Sequence, residues 1–383
     1  MTSSYLEGEK NALGAFGYNR DGKRGKKQID SAAPSPFGLS CGLSVSLRSA
    51  VIGLLCDGQG VALAIEVFAG NTLDPKTMAL QIEKVASQFG GGEVTFVGDR
   101  GIIIGPQIKE LGEHGYHYIT AITKPQIRAL LKADVLQMSL FDQVLAEVYE
   151  GKVRYVLRRN PRRAEEMKAS RESKLGTLST RVQEANTYLA AHPRAAVSTA
   201  LKALRKKTAK LKLSSWCGIR QSGRARKVEL HLNESARAEE KKLDGCYVLK
   251  SDLRPEQITK EDVHARYKDL AFVEQAFRTS KTVELEMRPI HVRKEESTRG
   301  HALVVMLAYR LAKELSRRWV DLDLRAGEGI KELSTLCLTE VMSGDKVLCS
   351  TVPVPRPELA EIIARSGITL PEVIIRKNAK VAT

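Results

Sequence analysis

Between residues 51 and 124, short apolar runs alternate with helix signals, and that order leaves few folds open. Residues 51–56 and 61–68 are apolar runs separated by Asp57-Gly58-Gln59-Gly60, the composition of a hairpin turn. Asp74-Pro75 then suits the cap and first position of a helix running to about Phe89. Residues 94–97 have the composition of a short buried strand, which delivers Asp99 at its C-terminal end. A second helix over about 106–112 leads to a strand at 116–122. Strand, helix, strand, helix, strand predicts an α/β layer with parallel pairing.

From about residue 124 to 242 the pattern changes. Residues 147–158 alternate as strands do, with Gly151 at a turn, and 161 to about 212 read as basic helix broken only at Pro193. Residues 152–174 carry nine Lys or Arg and residues 202–212 carry six. The run at 152–174 suits phosphate contact and equally suits a solvated helical face. Strand composition returns at 228–232 and 247–249. Long helices follow at 258–281 and 299–318, and a weaker tail interrupted by Pro353, Pro355 and Pro357 lies beyond Trp319. Residues 30–50 fit nothing around them: six serines, two prolines and one basic residue read as a loop or an insert. The expected organisation is a core in two parts, 1–124 (with 30–50 anomalous) and 243–320. A basic insertion domain at 125–242 separates them, and a tail follows at 321–383.

A chain of 383 residues with 43% hydrophobic content can bury the cores of two or three domains. Its net charge of +16 and pI near 9.5 point to an anionic partner, nucleic acid first. The six cysteines are scattered without a C-x-x-C pair, which argues against a zinc ribbon or disulfide framework and fits a reducing cytoplasm. No apolar run is long enough to span a membrane and the N-terminus is not signal-like, so a soluble intracellular chain is expected.

Two carboxylates stand out. Asp99, followed by Arg100 and Gly101, lies where α/β sheets place active sites, although a turn or helix N-cap is the commoner use of such a sequence. Glu274 lies in Y-K-D-L-A-F-V-E-Q-A-F-R-T-S-K (residues 267–281), a stretch without Gly or Pro. Tyr267, Glu274 and Lys281 are seven residues apart, nearly two helical turns, so the spacing predicts one face, with Arg278 one turn beyond Glu274. Such a face can hold a metal beside a phosphate, or it can be a surface Glu–Arg pair. Hard carboxylate oxygens suit Mg²⁺, and paired ions would activate an attacking oxygen and stabilise a leaving one. His264, His291 and His301 lack metal-ligand spacing. Trp216 is either a base-stacking group or a buried anchor. RNA binding would call for aromatic-rich basic strands that the chain lacks.

Together these segments resemble the insertion-sequence transposases of the IS-four type, DDE enzymes with an RNase H-like core. The likeness rests on G-Y-N-R-D-G-K-R-G-K-K-Q-I (residues 17–29), V-I-G-L-L-C-D-G (51–58), E-V-F-A-G-N-T-L-D (66–74), F-V-G-D-R-G (96–101), L-D-G-C-Y-V-L-K-S-D-L (243–253) and residues 267–281. It spans nearly the whole chain except 30–50 and the far C-terminus. The resemblance implies an α/β fold, an RNase H-like mixed sheet flanked by helices and interrupted by a basic, helix-rich insertion domain with some strands. It makes Asp99 the second catalytic Asp and Glu274 the catalytic Glu, both metal ligands. Tyr267, Glu274 and Lys281 match three members of the Y-R-E-K signature, whose Arg is replaced here by Leu270; Arg278 partly substitutes. Tyr267, Arg278, Lys281 and Arg100 are the expected DNA-binding residues. Two Mg²⁺ or Mn²⁺ ions, double-stranded DNA (transposon ends and target), a homodimer and a bacterial cytoplasmic, nucleoid-associated location are likewise implied.

The family's first catalytic Asp stands in a D-x-T-S-S-Y-like stretch, and here the match begins at Thr2-Ser3-Ser4-Tyr5. That Asp falls directly before Met1, so the expectation is a truncated copy, read from an internal start and lacking the first core strand. Such a chain is expected to be marginally folded and catalytically inactive, the alternative function being a non-catalytic DNA-binding remnant. In-frame sequencing upstream of codon 1 is expected to reveal an Asp codon directly before Met1; another residue there would refute the truncation.

Overall fold

The computed structural model describes residues 2–6, 11–15, 48–88, 92–223, 225–281, 285, 287, 290–343, 346–370 and 373–374. The chain divides into two compact units, Met1–Phe89 with Asp269–Thr383, and Gly90–Lys268. The first begins with strands β1 (Thr2–Leu6), β2 (Arg48–Cys56) and β3 (Ala62–Ala69) and helix α1 (Asp74–Gln88). The second holds β4 (Thr95–Gly98), α2 (Gly105–Glu113), β5 (His117–Ala121), α3 (Lys124–Lys132), β6 (Ala146–Glu150) and β7 (Val153–Arg159). It continues through α4 (Pro161–Ala191), α5 (Val197–Lys210), β8 (Cys217–Gln221), β9 (Val228–Leu232), α6 (Glu234–Lys242), β10 (Cys246–Ser251) and α7 (Lys260–Lys268). The chain returns to the first unit with α8 (Leu270–Ser280), α9 (Glu295–Arg318), α10 (Ala326–Leu333), β11 (Thr339–Ser343), β12 (Lys346–Thr351), α11 (Pro357–Arg365) and β13 (Val373–Ile374). None of the described helices is long and apolar enough to cross a membrane.

In the first unit β1, β2 and β3 form an antiparallel sheet in that order, with Thr2 opposite Ile52 and Ala50 opposite Ala69. The expected turn joins β2 to β3: Asp57 Oδ1 accepts from the N–H groups of Gln59 and Val61, and Gly60 takes φ +72°. Four residues can only reverse a strand, which makes this pair antiparallel. Helices α8 and α9 cover the sheet, packing Phe277, Val305 and Met306 onto Ile52 and Ala62. The expected absence of a first strand is corrected. Thr2–Leu6 is a strand paired along β2, and buried Ser4 donates its hydroxyl to the Met287 carbonyl at 2.7 Å. The anomalous segment is also shorter than 30–50, because Arg48, Ser49 and Ala50 belong to β2; residues 30–47 and the motif at 17–29 lie outside the described residues. The tail carries real elements, α10, α11 and a hairpin, and Trp319 is fully buried, its indole N–H donating to Ser366 Oγ at 3.0 Å. Residues 377–383 lie outside the description.

The second unit is a five-stranded mixed sheet, ordered β4-β5-β10-β7-β6 and flanked by helices, consistent with the RNase H-like fold that the sequence leads one to expect. Among the named strands only β4 and β5, joined through α2, are parallel; the parallel layer expected over 51–124 shrinks to that pair. Both faces of the sheet are buried. Tyr155, Leu157 and Val248 point to a core with Ile127, Leu136 and Phe141, while Val156 and Leu249 pack with Ile119, Leu253 and Val263 of α7. Central strand β10 is fed by Gly245 at φ +72°, where a Cβ would stand 2.3 Å from the Asn160 carbonyl oxygen, so only glycine fits. A separate core joins α4 and α5 to the β8–β9 hairpin through Leu178, Val182, Leu204, Trp216 and Ile219, which settles Trp216 as a buried anchor.

Arg154 on β7 is 2% exposed and lies on the α7 side of the sheet. Its Nε and Nη2 donate to one oxygen of Glu147 on β6 at 2.9 and 2.6 Å, and its Nη1 donates to the carbonyls of Ile258 at 2.8 Å and Leu253 at 3.4 Å. Those carbonyls belong to the segment that leads from β10 into α7. Removing one member of a buried pair leaves the other without its partner, so Arg154→Leu is expected to cost about 3 kcal/mol. Urea denaturation of the full chain reads this as an earlier midpoint; an unchanged midpoint would contradict it.

Candidate active site

Asp99 follows β4 directly. Phe96 points to Tyr116 on one side of the sheet, and Val97 packs with the α7 cluster on the other. Side chains alternate along a strand, so Asp99, two residues beyond Val97, faces the same side as α7. Asp99 is exposed and is not a helix N-cap: α2 starts only at Gly105, and Ile104 takes that position. It is a turn residue, since its carbonyl accepts from Ile102 N–H at 2.9 Å and its Oδ1 accepts from Arg100 N–H at 2.8 Å. The same Oδ1 accepts the phenolic O–H of Tyr267 at 3.3 Å, a long bond.

Tyr267 is half-buried in the last turn of α7. Burial, and then the negative charge of Asp99, push its phenol well above the ordinary tyrosine range, with nearby Arg100 opposing. Tyr267 thus remains a proton donor at neutral pH. Its bond occupies Oδ1, while Oδ2 of Asp99 has no hydrogen-bond partner among the described residues. One turn earlier on α7, buried His264 meets Tyr247 of β10, whose hydroxyl bonds its Nε2, and Arg158 of β7, whose Nη1 approaches the same nitrogen at 3.2 Å. Arginine can only donate, so Nε2 accepts and the ring is neutral. Sequence reading passed over this trio because His264 has no metal-ligand spacing. The available signal was strand parity, which puts Tyr247 on the α7 side with Arg158 directly opposite it across the β10–β7 ladder.

Glu274, Arg278 and Lys281 belong to the other unit. Helix α8 buries Ala276, Phe277 and Ser280 and presents Glu274 and Arg278 as exposed residues. Glu274 and Arg278 make no ion pair with each other, so the simple surface pair is not formed. Lys281 is the C-cap rather than a helical residue. The single helix expected over 258–281 is corrected: it is interrupted at Asp269, where the boundary between the units falls. Tyr267 and Glu274 therefore sit on different helices, α7 and α8. Asp99, Arg100 and Tyr267 are brought together in one unit; Glu274, Arg278 and Lys281 lie within eight residues of one another in the second.

Among the described residues no group of three or more His, Cys, Asp or Glu side chains is placed to hold a metal ion. Asp99 by itself fits one role, that of a single hard-oxygen ligand through Oδ2, which suits an ion that keeps most of its waters.

A model of the family described as "Transposase DDE domain" matches residues 49–311, more than half of the chain. No curated protein and no solved structure matches the chain.

Burial, reinforced by the charges of Lys268 and Arg158, holds His264 below its ordinary value of 6.5. The unfolded chain then binds this proton more readily than the folded one, so the stability contributed by neutral His264 is complete above about 6.5 and is lost as pH falls below it. Thermal melting from about pH 7.5 down to about 5.5 is expected to show a steeper loss for the native chain than for His264→Gln. Parallel curves would refute this.

Proposed function

Because this chain belongs to the DDE transposase family, we propose that it is an IS-four-type insertion-sequence transposase that cuts and joins duplex DNA. In this reading Asp99 is the second acid of the triad and Glu274 the third, and both are ligands of divalent metal, Mg²⁺ or Mn²⁺. The observation that carries the reading is Asp99 itself. It stands at the end of a parallel strand, a phenol and a backbone N–H hold one oxygen, and the other has no hydrogen-bond partner among the described residues.

Metal bound there would activate the attacking oxygen and stabilise the leaving one in an in-line displacement. The remaining work falls to the chain's own groups. Tyr267 orients Asp99 by donating to Oδ1. Arg100 beside Asp99, and Arg278 and Lys281 after Glu274, supply cations for phosphate oxygens, with Arg278 standing in for the signature Arg replaced by Leu270. The partition into a core of 1–124 and 243–320 around an insertion at 125–242, assembly as a homodimer on paired DNA ends, and a location at the nucleoid belong to the same proposal.

The test is Mg²⁺-dependent cleavage of duplex DNA by this chain. Asp99→Asn and Glu274→Gln are each expected to slow it about a thousandfold. Cleavage by either variant at the parent rate would exclude that residue as a metal ligand.

A further inference from the structure

The two basic runs of this chain have different fates. Within 152–174, Arg154 is buried against Glu147, Arg159 reaches Asp142, Arg162 and Arg163 share Glu166, and Arg171 pairs with Asp244. Much of that charge is therefore matched by carboxylates, inside the fold at Arg154 and Arg171 and on the surface elsewhere. Helix α5 is the opposite case. It contains five Lys or Arg and no acid, and among the described residues none of its cations forms an ion pair. Residues 197–232 as a whole hold ten Lys or Arg against one acid, Glu229, a net +9 out of the chain's +16.

The geometry of α5 makes this charge a surface. Leu204 and Thr208 are buried, and Val197, Ala200, Leu201 and Leu211 pack onto the same core. Lys202, Lys206 and Lys210 recur every four residues and are exposed, on the side away from that core. At 1.5 Å per residue the row is about 12 Å long. Arg205 clamps the helix to the hairpin by donating from Nε and Nη2 to the Ile219 carbonyl, both at 3.3 Å. Like charges four residues apart on a helix are mildly destabilising, and α9 sets acids four residues from bases in Arg299–Glu295 and Arg318–Glu314. Helix α5 holds no acid to do so.

We propose that the Lys202–Lys206–Lys210 row of α5 is a docking surface for the phosphate backbone of duplex DNA, separate from the acid-bearing site. Charge complementarity selects a polyanion. The composition of the module selects a duplex over a single strand, because single strands are held by stacking on exposed aromatics. Its one Trp, Tyr or Phe over 197–232 is Trp216, 3% exposed and covered by Arg237. The proposal takes DNA as partner from the transposase reading but does not depend on the roles of Asp99 and Glu274.

The experiment measures binding of the full chain to a labelled duplex of arbitrary sequence by fluorescence anisotropy across a salt series. The triple variant K202Q/K206Q/K210Q is compared with K132Q/K168Q/K241Q, which removes the same charge from exposed positions on α3, α4 and α6. Each lost phosphate contact lowers the log–log salt slope by about 0.9, so the α5 variant is expected to lose between about 2 and 3 from that slope, and the control much less. K206Q alone, expected to lose about one, keeps the test valid if the triple variant does not fold. An unchanged slope in the α5 variants, or an equal loss in the control, overturns the proposal. Stronger competition by single-stranded DNA or an acidic peptide than by unlabelled duplex overturns the choice of occupant. The slope is read on binding alone, and the catalytic reading on cleavage, so failure of the catalytic reading is distinguishable from failure of this one.

Discussion

The arrangement around Asp99 depends on one buried cation. Arg154 is removed from water inside the five-stranded sheet, and a charge there is tolerable only if every donor finds an acceptor. Glu147 satisfies it from β6, and the Leu253 and Ile258 carbonyls satisfy it from the segment entering α7. The bonds therefore run in two directions, one across the sheet edge and one to the start of the helix. With the start of α7 held, Val263 drops into the core, His264 meets Tyr247 and Arg158, and Tyr267 arrives at Asp99. A geometric consequence nine residues downstream of Ile258 thus traces back to a guanidinium on β7.

Charge has two distinct uses in this molecule. In the sheet and along α4 several cations are matched to carboxylates or backbone carbonyls, as Arg154, Arg159 and Arg171 are. On α5, Lys202, Lys206 and Lys210 are left exposed with no acid on their own helix. The amino acids are the same in both places, and their roles differ only because of what the fold sets opposite them. A net charge of +16 is consequently a poor measure of how much positive surface is available to a polyanion.

Much of the local structure was legible in the sequence. The Asp57-Gly58-Gln59-Gly60 turn, the helix begun by Asp74-Pro75, the strand at 228–232 and the break near Pro193 each follow from signals within a few residues of one another, and each is present. The position of Asp99 just past a short strand was legible for the same reason. The continuous helix over 258–281 was not a safe reading. Asp269 keeps a helical backbone, φ −61° and ψ −15°, yet α7 ends before it, and nothing in its identity announces that. The extent of β1 was equally hidden, since Thr2–Leu6 becomes a strand through pairing with residues 48–52, a partner far along the chain.

What the sequence by itself determined is the α/β class, the family and many of the local elements, and its motifs single out two acids as candidates. What only the tertiary structure decided is which polar groups meet. Tyr267 and Asp99 are 168 residues apart, Arg154 and Ile258 are 104, and Arg158 and His264 are 106. Propensity, capping and periodicity act over one or two turns of chain, so they cannot choose among partners at such separations. That choice is made by burial, because a buried donor without an acceptor costs more than any local preference can return.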